Sequence, residues 1–402
     1  VNLLMTADPA TGVWPYSLDL ARALGLHGVH TTLVAVGEVS AAQRNAVDRT
    51  GSVSLHEISG GGDHAARGDK LLAIAEQVRP HIIHLNTLDD GDLPWAQRVT
   101  HPTAERKAHA RSGHAAGLPI VIVVAHDDPW ARHRAVHGDD PPASTGLDRG
   151  RVARSIEAAD ALVAPTAAML KQISDVYGPH PNGCVLPHGR SEALLHPAIA
   201  KARQVFAAAH TWDGAKNLAA LVDAAPRIRH PVRIAAPAHN EAGHELRFDS
   251  VKLLGHLSES AMSEEYANAS IFVHPARYEP FGLSAVEAAF SGCALVMGDI
   301  PSLREVWGDA AVYVDPGRPE QIAIAVNALI DEPVRRRNLA RSAMYRALRY
   351  LPEAMSRRYL GLYRELLADR GVKTPMAERI RPTEGLRSKH GDRPPVRAVA
   401  DA

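Results

Sequence analysis

From Val1 to about Leu367, short apolar runs alternate with stretches in which apolar residues recur every three or four positions. The first rhythm belongs to strands and the second to amphipathic helices. Their alternation predicts an α/β protein with helices layered on parallel sheets. Val1–Met5 is the first apolar run. After the turn Ala7–Gly12, Pro15 opens a stretch with Leu18, Ala21 and Leu24 at helical spacing, and Gly28 closes it before a strand over Thr31–Val36. Leu71–Val78 reads as helix and His81–Leu85 as strand. Pro119–Ala125 (PIVIVVA) is dominated by β-branched residues and predicts a central strand buried on both faces. A helix over Arg151–Ala159 and a strand over Ala161–Ala164 follow.

A second series begins after Pro187–Pro197. Gln204–Ala208, Val232–Ala236, Lys252–Leu254, Ile271–His274, Ala294–Met297 and Ala311–Val314 read as strands with helices between them. The boundary falls near 190–203. It separates an N-terminal Rossmann-like domain, 1–190, from a C-terminal one, 200–350. Asp331–Tyr350 and Pro352–Leu367 are helical patterns broken at Leu351–Pro352, where proline cannot continue a helix. Val99–Leu118 is polar and reads as a surface insertion. Gly371–Ala402, with several Pro and Arg residues and little periodicity, reads as a disordered tail.

A chain of 402 residues is too long for one ordinary core and fits two. Its formal net charge of zero gives no global field to draw it onto nucleic acid. The two cysteines, Cys184 and Cys293, lack metal-ligand spacing and are expected as free thiols in a reduced, cytoplasmic compartment. No apolar run reaches the roughly 20 residues of a membrane span. The start reads as a first strand rather than a signal peptide.

The chemistry concentrates in His274–Asp299, HPARYEPFGLSAVEAAFSGCALVMGD. A strand ends at His274, and Glu279-Pro280-Phe281-Gly282 deliver the chain into a helix. The first turn of a helix offers unpaired N–H groups and partial positive charge, a ready place for phosphate oxygens. Gly282 lets a ligand come close to the backbone. Glu287, one turn on, shares a face with Leu283 and Ser284 and is placed to accept from ribose hydroxyls. Glu279 is placed to accept from a sugar hydroxyl. The plain alternative is a strand-loop-helix with two surface glutamates. Asp89-Asp90-Gly91-Asp92, Asp127-Asp128 and Asp139-Asp140 are read as solvated loops rather than metal sites. The arginines at 335–337, 341, 346, 349, 357 and 358 are read as a solvated face. Their alternative is a peripheral contact with anionic lipid or an acidic acceptor.

The string EPFGLSAVE resembles the signature of the family-4 retaining glycosyltransferases of the GT-B fold. GDIPSLREVWGDAAVYVDPGRPEQIAIAV and ADALVAPTAAML resemble the same family, and the likeness runs along most of Val1–Leu367. It implies two Rossmann-like domains facing across a cleft, with the helix over 352–370 crossing back to the first. It places the donor ribose on Glu287, and the donor sugar and phosphates on Glu279 and Phe281, Gly282, Leu283 and Ser284. Gly12 and Val13, in TGVW, match the family's glycine loop. His126, in VAHD, matches a histidine near the donor sugar. Lys216 matches a lysine on the diphosphate. Ala209 and His210 stand where the family has Gly-Arg, so a weakly basic imidazole replaces a fixed cation.

The resemblance implies transfer of a sugar from a nucleoside diphosphate sugar to an acceptor hydroxyl, whether glycan, lipid or small molecule. Retention is expected, with no metal, no cofactor beyond that co-substrate, and no nucleic acid. His126, Glu279 and Lys216 are the catalytic candidates. The alternatives are a donor-binding protein weakened by Ala209-His210, or a nucleotide-sugar epimerase or sugar phosphorylase on the same fold.

Overall fold

The computed structural model describes residues 1–58, 64–99, 118–193, 195–198, 200–209, 211–239 and 245–370, with the backbone of 397–398. His210, nearly all of the insertion expected over Val99–Leu118, and the tail beyond 370 apart from 397–398 lie outside the described residues.

The chain divides into two compact units. The first comprises Val1–Asp128, Ala143–Gly189 and Pro352–Ala402; the second comprises Pro129–Pro142 and Arg190–Leu351. The segment Pro129–Pro142 was expected within the first. Its helix Pro129–His137 instead sets Ala131 against Ala215 and Tyr278, with Ala135 and Val136 beside them. Those few small apolar positions are too weak a pattern to show in sequence which core they join.

In the first unit the strands are β1 (Asn2–Ala7), β2 (His30–Val36), β3 (Val53–Ile58), β4 (Ile82–Leu85), β5 (Ile120–Val124), β6 (Ala161–Ala164) and β7 (Gly183–Val185). They lie in the order β7-β6-β5-β4-β1-β2-β3, all parallel, and Arg397–Ala398 pairs with the outer edge of β7. β5 is buried at every residue, as its branched side chains require when helices cover both faces of a sheet. The half-exposed edge strand β3 and the helix Ala41–Asp48 went unread in the sequence.

The second unit holds β8 (Val205–Ala208), β9 (Val232–Ala235), β10 (Val251–Leu253), β11 (Ile271–His274), β12 (Ala294–Gly298) and β13 (Ala311–Val314). Their order is β10-β9-β8-β11-β12-β13, again parallel throughout. Phe206, Phe272, Leu295 and Met297 pack on one face of this sheet, and Val205, Ile234, Val273 and Val296 on the other. Pro301, Pro319, Pro333 and Pro352 each open a helix, where a preset φ helps and a missing N–H costs nothing. The pattern expected as one helix over Asp331–Tyr350 is divided accordingly. Pro319–Asp331 ends before Pro333, Pro333–Ala347 runs on, and a 3-10 turn covers Leu348–Tyr350.

Strand order reverses between β1 and β4 in one sheet and between β8 and β11 in the other. Helices leave opposite faces at such a point, so the loops beyond the strands' carboxyl ends part and leave a crevice where ligands bind. Among the described residues no helix is long and apolar enough to cross a membrane, and both cysteines are free.

Candidate active site

Loops from both sides of the reversal meet in the second unit. Beyond β8 come Asp213 and Lys216; beyond β11 come Glu279 and the turn into the helix Leu283–Phe290. The Lys216 ammonium lies 2.8 Å from Glu279 Oε2, and His274 Nε2 lies 2.9 Å from the same oxygen. Sequence reasoning gave Lys216 to the diphosphate and Glu279 to the sugar, and the structure brings the two together. Burial raises the Glu279 pKa, but the Lys216 charge and the His274 hydrogen bond outweigh it and hold the carboxyl well below its usual range. Asn217, in the left-handed region at φ 56°, turns the chain after Lys216, and its amide donates to the Pro275 and Pro316 carbonyls. Asp213 accepts from the Lys216 N–H. The loop carrying the lysine is therefore tied to the loop carrying the glutamate.

Gly282 sits at φ 90°, a conformation other residues resist, and starts the helix without a side-chain cap. No acidic residue stands in the helix's first turn, and the amides of Leu283 and Ser284 have no protein acceptor among the described residues. Leu283, Ser284 and Glu287 are the partly open positions of this helix, while Ala285, Val286 and Phe290 are buried. Leu283, Ser284 and Glu287 thus share one face, as their spacing predicts. Phe281, 2% exposed, packs edge-on against Tyr350 and belongs to the core. Its side chain thereby holds the turn in place.

The Arg190 guanidinium lies 2.6 Å from Glu287 Oε1, both side chains 18% exposed. Neither Arg190 nor His274 was foreseen. Each is a single polar residue in a stretch whose other features, a Gly-Pro-bearing linker and a strand end, explained its presence.

In the first unit Gly12 and Val13 begin the helix Val13–Gly25 beyond β1. Gly12 has ordinary right-handed dihedrals, φ −62° and ψ −9°, and a Cβ there would meet nothing within 4 Å. Nothing in the chain itself requires that glycine. His126 follows β5, with Nε2 2.7 Å from Asn86 Oδ1, and its ring touches those of Tyr16 and His188 at 4.5 and 4.7 Å. Burial and the neighbouring imidazoles hold its pKa well below that of a free histidine, so the ring is neutral near pH 7.

Two acidic groups expected as solvated loops are structural. Asp90, 1% exposed, accepts from Arg67 at 2.7 Å and from Thr87 Oγ1 at 2.7 Å. Asp128, fully buried, accepts from Tyr177 at 2.8 Å. His64, Asp89 and Asp90 present ligand atoms within 4.8 Å of one another, but Arg67 donates to both carboxylates and already supplies the cation.

The matches to known proteins agree with this layout. Residues 198–346 match the family described as glycosyl transferases group 1. A glycogen synthase of Mycobacterium tuberculosis is 24% identical over 83% of this chain and 88% of its own. A D-inositol 3-phosphate glycosyltransferase of Acidothermus cellulolyticus is 27% identical over 66% of this chain and 65% of its own. In fold, a sucrose-phosphate synthase of Thermosynechococcus elongatus superposes with a TM-score of 0.72 at 15% identity, covering 91% of this chain and 99% of that one. The Anabaena protein HepE, solved with UDP-glucose, reaches 0.68 at 14% identity, covering 90% and 99%. The fold class is thus GT-B, with two parallel α/β sheets. The chain is a glycosyltransferase, and its residues 198–346 carry the pattern of group 1.

Proposed function

We propose that the chain is a family-4 retaining enzyme that moves a sugar from a nucleoside diphosphate sugar to an acceptor hydroxyl without a metal ion. The observation that carries this reading is the set Lys216, Glu279 and His274 placed beside the uncapped amides of Leu283 and Ser284, at the carboxyl ends of β8 and β11. The amides and the lysine suit a diphosphate that gains charge as the glycosidic bond breaks. Glu279 and Glu287 supply acceptors for sugar and ribose hydroxyls, and each is already balanced by a cation of the chain. In the first unit the open space over Gly12 and the neutral ring of His126 are assigned, through the family resemblance, to the donor's phosphates and sugar. HepE's structure with UDP-glucose supports a nucleotide sugar as donor class. A cytoplasmic location goes with this reading. On the arginine-rich helix Pro333–Ala347, Arg336 and Arg346 are engaged by backbone carbonyls, while Arg337 and Arg341 are exposed. Those two remain available to an anionic surface.

Thermal unfolding in the presence of UDP-, GDP- and ADP-glucose tests the reading. A bound nucleotide sugar at about 100 times its dissociation constant adds about 2.7 kcal/mol. Donor turnover in excess chelator then tests the absence of a metal step. No shift with any of the three, or activity lost in chelator and restored by magnesium or manganese, would reject the corresponding claim.

A further inference from the structure

The neutral ring of His126 carries one proton, and its neighbours in the first unit decide which nitrogen holds it. The side-chain amide nitrogen of Asn86 donates to the Thr6 carbonyl at 2.7 Å and to Ser17 Oγ at 3.0 Å. The Asn86 backbone N–H donates to Thr6 Oγ1 at 2.9 Å. Turning the side chain over would set its oxygen against the Thr6 carbonyl oxygen, two acceptors in contact, so the amide has one orientation. Its Oδ1 can only accept, and it faces His84 Nε2 at 3.1 Å and His126 Nε2 at 2.7 Å. Both Nε2 atoms must therefore carry hydrogen.

His84 closes the arrangement from behind. Burial pushes its pKa down to about 3, so it too is neutral. With hydrogen on Nε2 its Nδ1 is a lone pair, and the Tyr363 hydroxyl, 2.7 Å away, donates to it. Tyr363 comes from the helix Pro352–Asp369, which also brings Tyr359 to within 2.7 Å of the Tyr16 hydroxyl. Every polar atom of this set has a partner except one. His126 Nδ1 has no hydrogen bond among the described residues, and His126 is the half-open member of the set.

We propose that Asn86, braced by His84, is a positioning residue that holds His126 in its Nε2–H form and so presents Nδ1 as an acceptor to a hydroxyl of the sugar nucleotide. The proposal rests on the reading of His126 as a contact of the donor sugar. A ring held this way takes a hydrogen bond and cannot give one. It favours a sugar with a free hydroxyl at that position over one bearing an acceptor alone.

Nitrogen-15 NMR of histidine-labelled protein at pH 7.5 reads the proton's place directly, with the His126 signals assigned by their loss in His126→Gln. The expected wild-type spectrum has a protonated Nε2 and a bare Nδ1. In Asn86→Leu the single form gives way to a mixture. Hydrolysis of the nucleotide sugar that binds best among UDP-, GDP- and ADP-glucose slows in kcat by about tenfold, the worth of one hydrogen bond of ordinary strength. Affinity for the free nucleoside diphosphate stays at the wild-type value. A wild-type His126 protonated at Nδ1 overturns the proposal, and this reading needs no variant to fold. So does an Asn86→Leu protein that keeps the single Nε2–H form. A mixture of forms with full turnover is different: it leaves the proton placement intact and removes His126 from the reaction, which is a failure of the functional reading instead.

Discussion

At Glu279 a carboxylate is shared by an ammonium and an imidazole. Lys216 is the cation assigned to the diphosphate, yet its ammonium is engaged at 2.8 Å by Glu279. Removing the carboxylate's charge should release it. In Glu279→Gln the free nucleoside diphosphate is expected to bind at least as tightly as in wild type, while hydrolysis of the full donor falls, because the sugar loses its acceptor. Calorimetry with both ligands measures the split, and an equal loss for both would contradict it. Glu287 behaves oppositely. Its hydroxyl-accepting oxygens are assigned to the ribose, which the free nucleoside diphosphate keeps. Glu287→Ala should weaken that ligand by about 1.5–3 kcal/mol for each hydrogen bond lost. Because the same change takes from Arg190 an ion-pair partner 2.6 Å away at a largely buried position, the variant is also expected to melt earlier. Unchanged affinity in a folded protein would remove Glu287 from the site.

Among the elements, those with a strong periodic signature were legible in sequence and those without one were not. β11 and β13 agree to the residue with the apolar runs Ile271–His274 and Ala311–Val314. β3, whose residues are mostly half-exposed, carries no clear alternation, and the helix Pro129–His137 buries only Ala131. Proline marked helix starts unevenly: the break at Pro352 was read, the start at Pro333 was passed over, and the helix placed at Pro15 begins at Val13. The site was legible where one local string holds it, from Glu279 to Glu287. It was hidden where partners come from distant strands. Asn86 and His126 are 40 positions apart, and His84 and Tyr363 are 279 apart. The sheet order, which sets β4 between β1 and β5, brings Asn86 and His126 together, and the packing of the helix Pro352–Asp369 brings Tyr363 to His84. The helix start at Gly12 gives a test at this scale. Its dihedrals suit any residue and the space over it is open, so Gly12→Ala should hold the stability or raise it by about 0.4–1 kcal/mol, read as an equal or higher unfolding midpoint. If donor phosphates approach that backbone, the added methyl should still weaken binding of the sugar nucleotide. A variant with both properties unchanged would leave Gly12 a turn residue and nothing more.

The whole molecule should respond to acid in two stages, because the two units bury opposite kinds of titrating group. In the first unit His84 has its pKa pushed down to about 3, and those of His126 and His180 are also lowered, chiefly by burial. An unfolded histidine titrates near about 6.5. Below that pH the unfolded chain binds protons that these folded rings refuse, so the first unit's stability falls as pH drops from about 6.5 towards 3. The full slope for His84 is about 1.4 kcal/mol per pH unit. In the second unit the dominant shifted group is Glu279, a carboxyl held below its unfolded value of about 4.3. Its contribution is complete above that value and is lost only as pH falls further. His230, more exposed, is lowered as well and adds a smaller term of the histidine kind. Between about pH 6.5 and 4.5, acid should therefore weaken the first unit well ahead of the second. Calorimetry at stepped pH is expected to show one component sliding to lower temperature while another holds. A nucleoside diphosphate should raise chiefly the component that holds, since Lys216, Leu283, Ser284 and Glu287 belong to the second unit and, of its assigned contacts, only the turn at Gly12 belongs to the first. His84→Gln, which removes the most firmly placed of the titrating rings, should flatten the slope of the sliding component even though it lowers that component's midpoint at pH 7.5. A single transition that moves as one with both pH and nucleotide would show instead that the units unfold as a cooperative whole, and the acid response would then belong to the sum of all these groups.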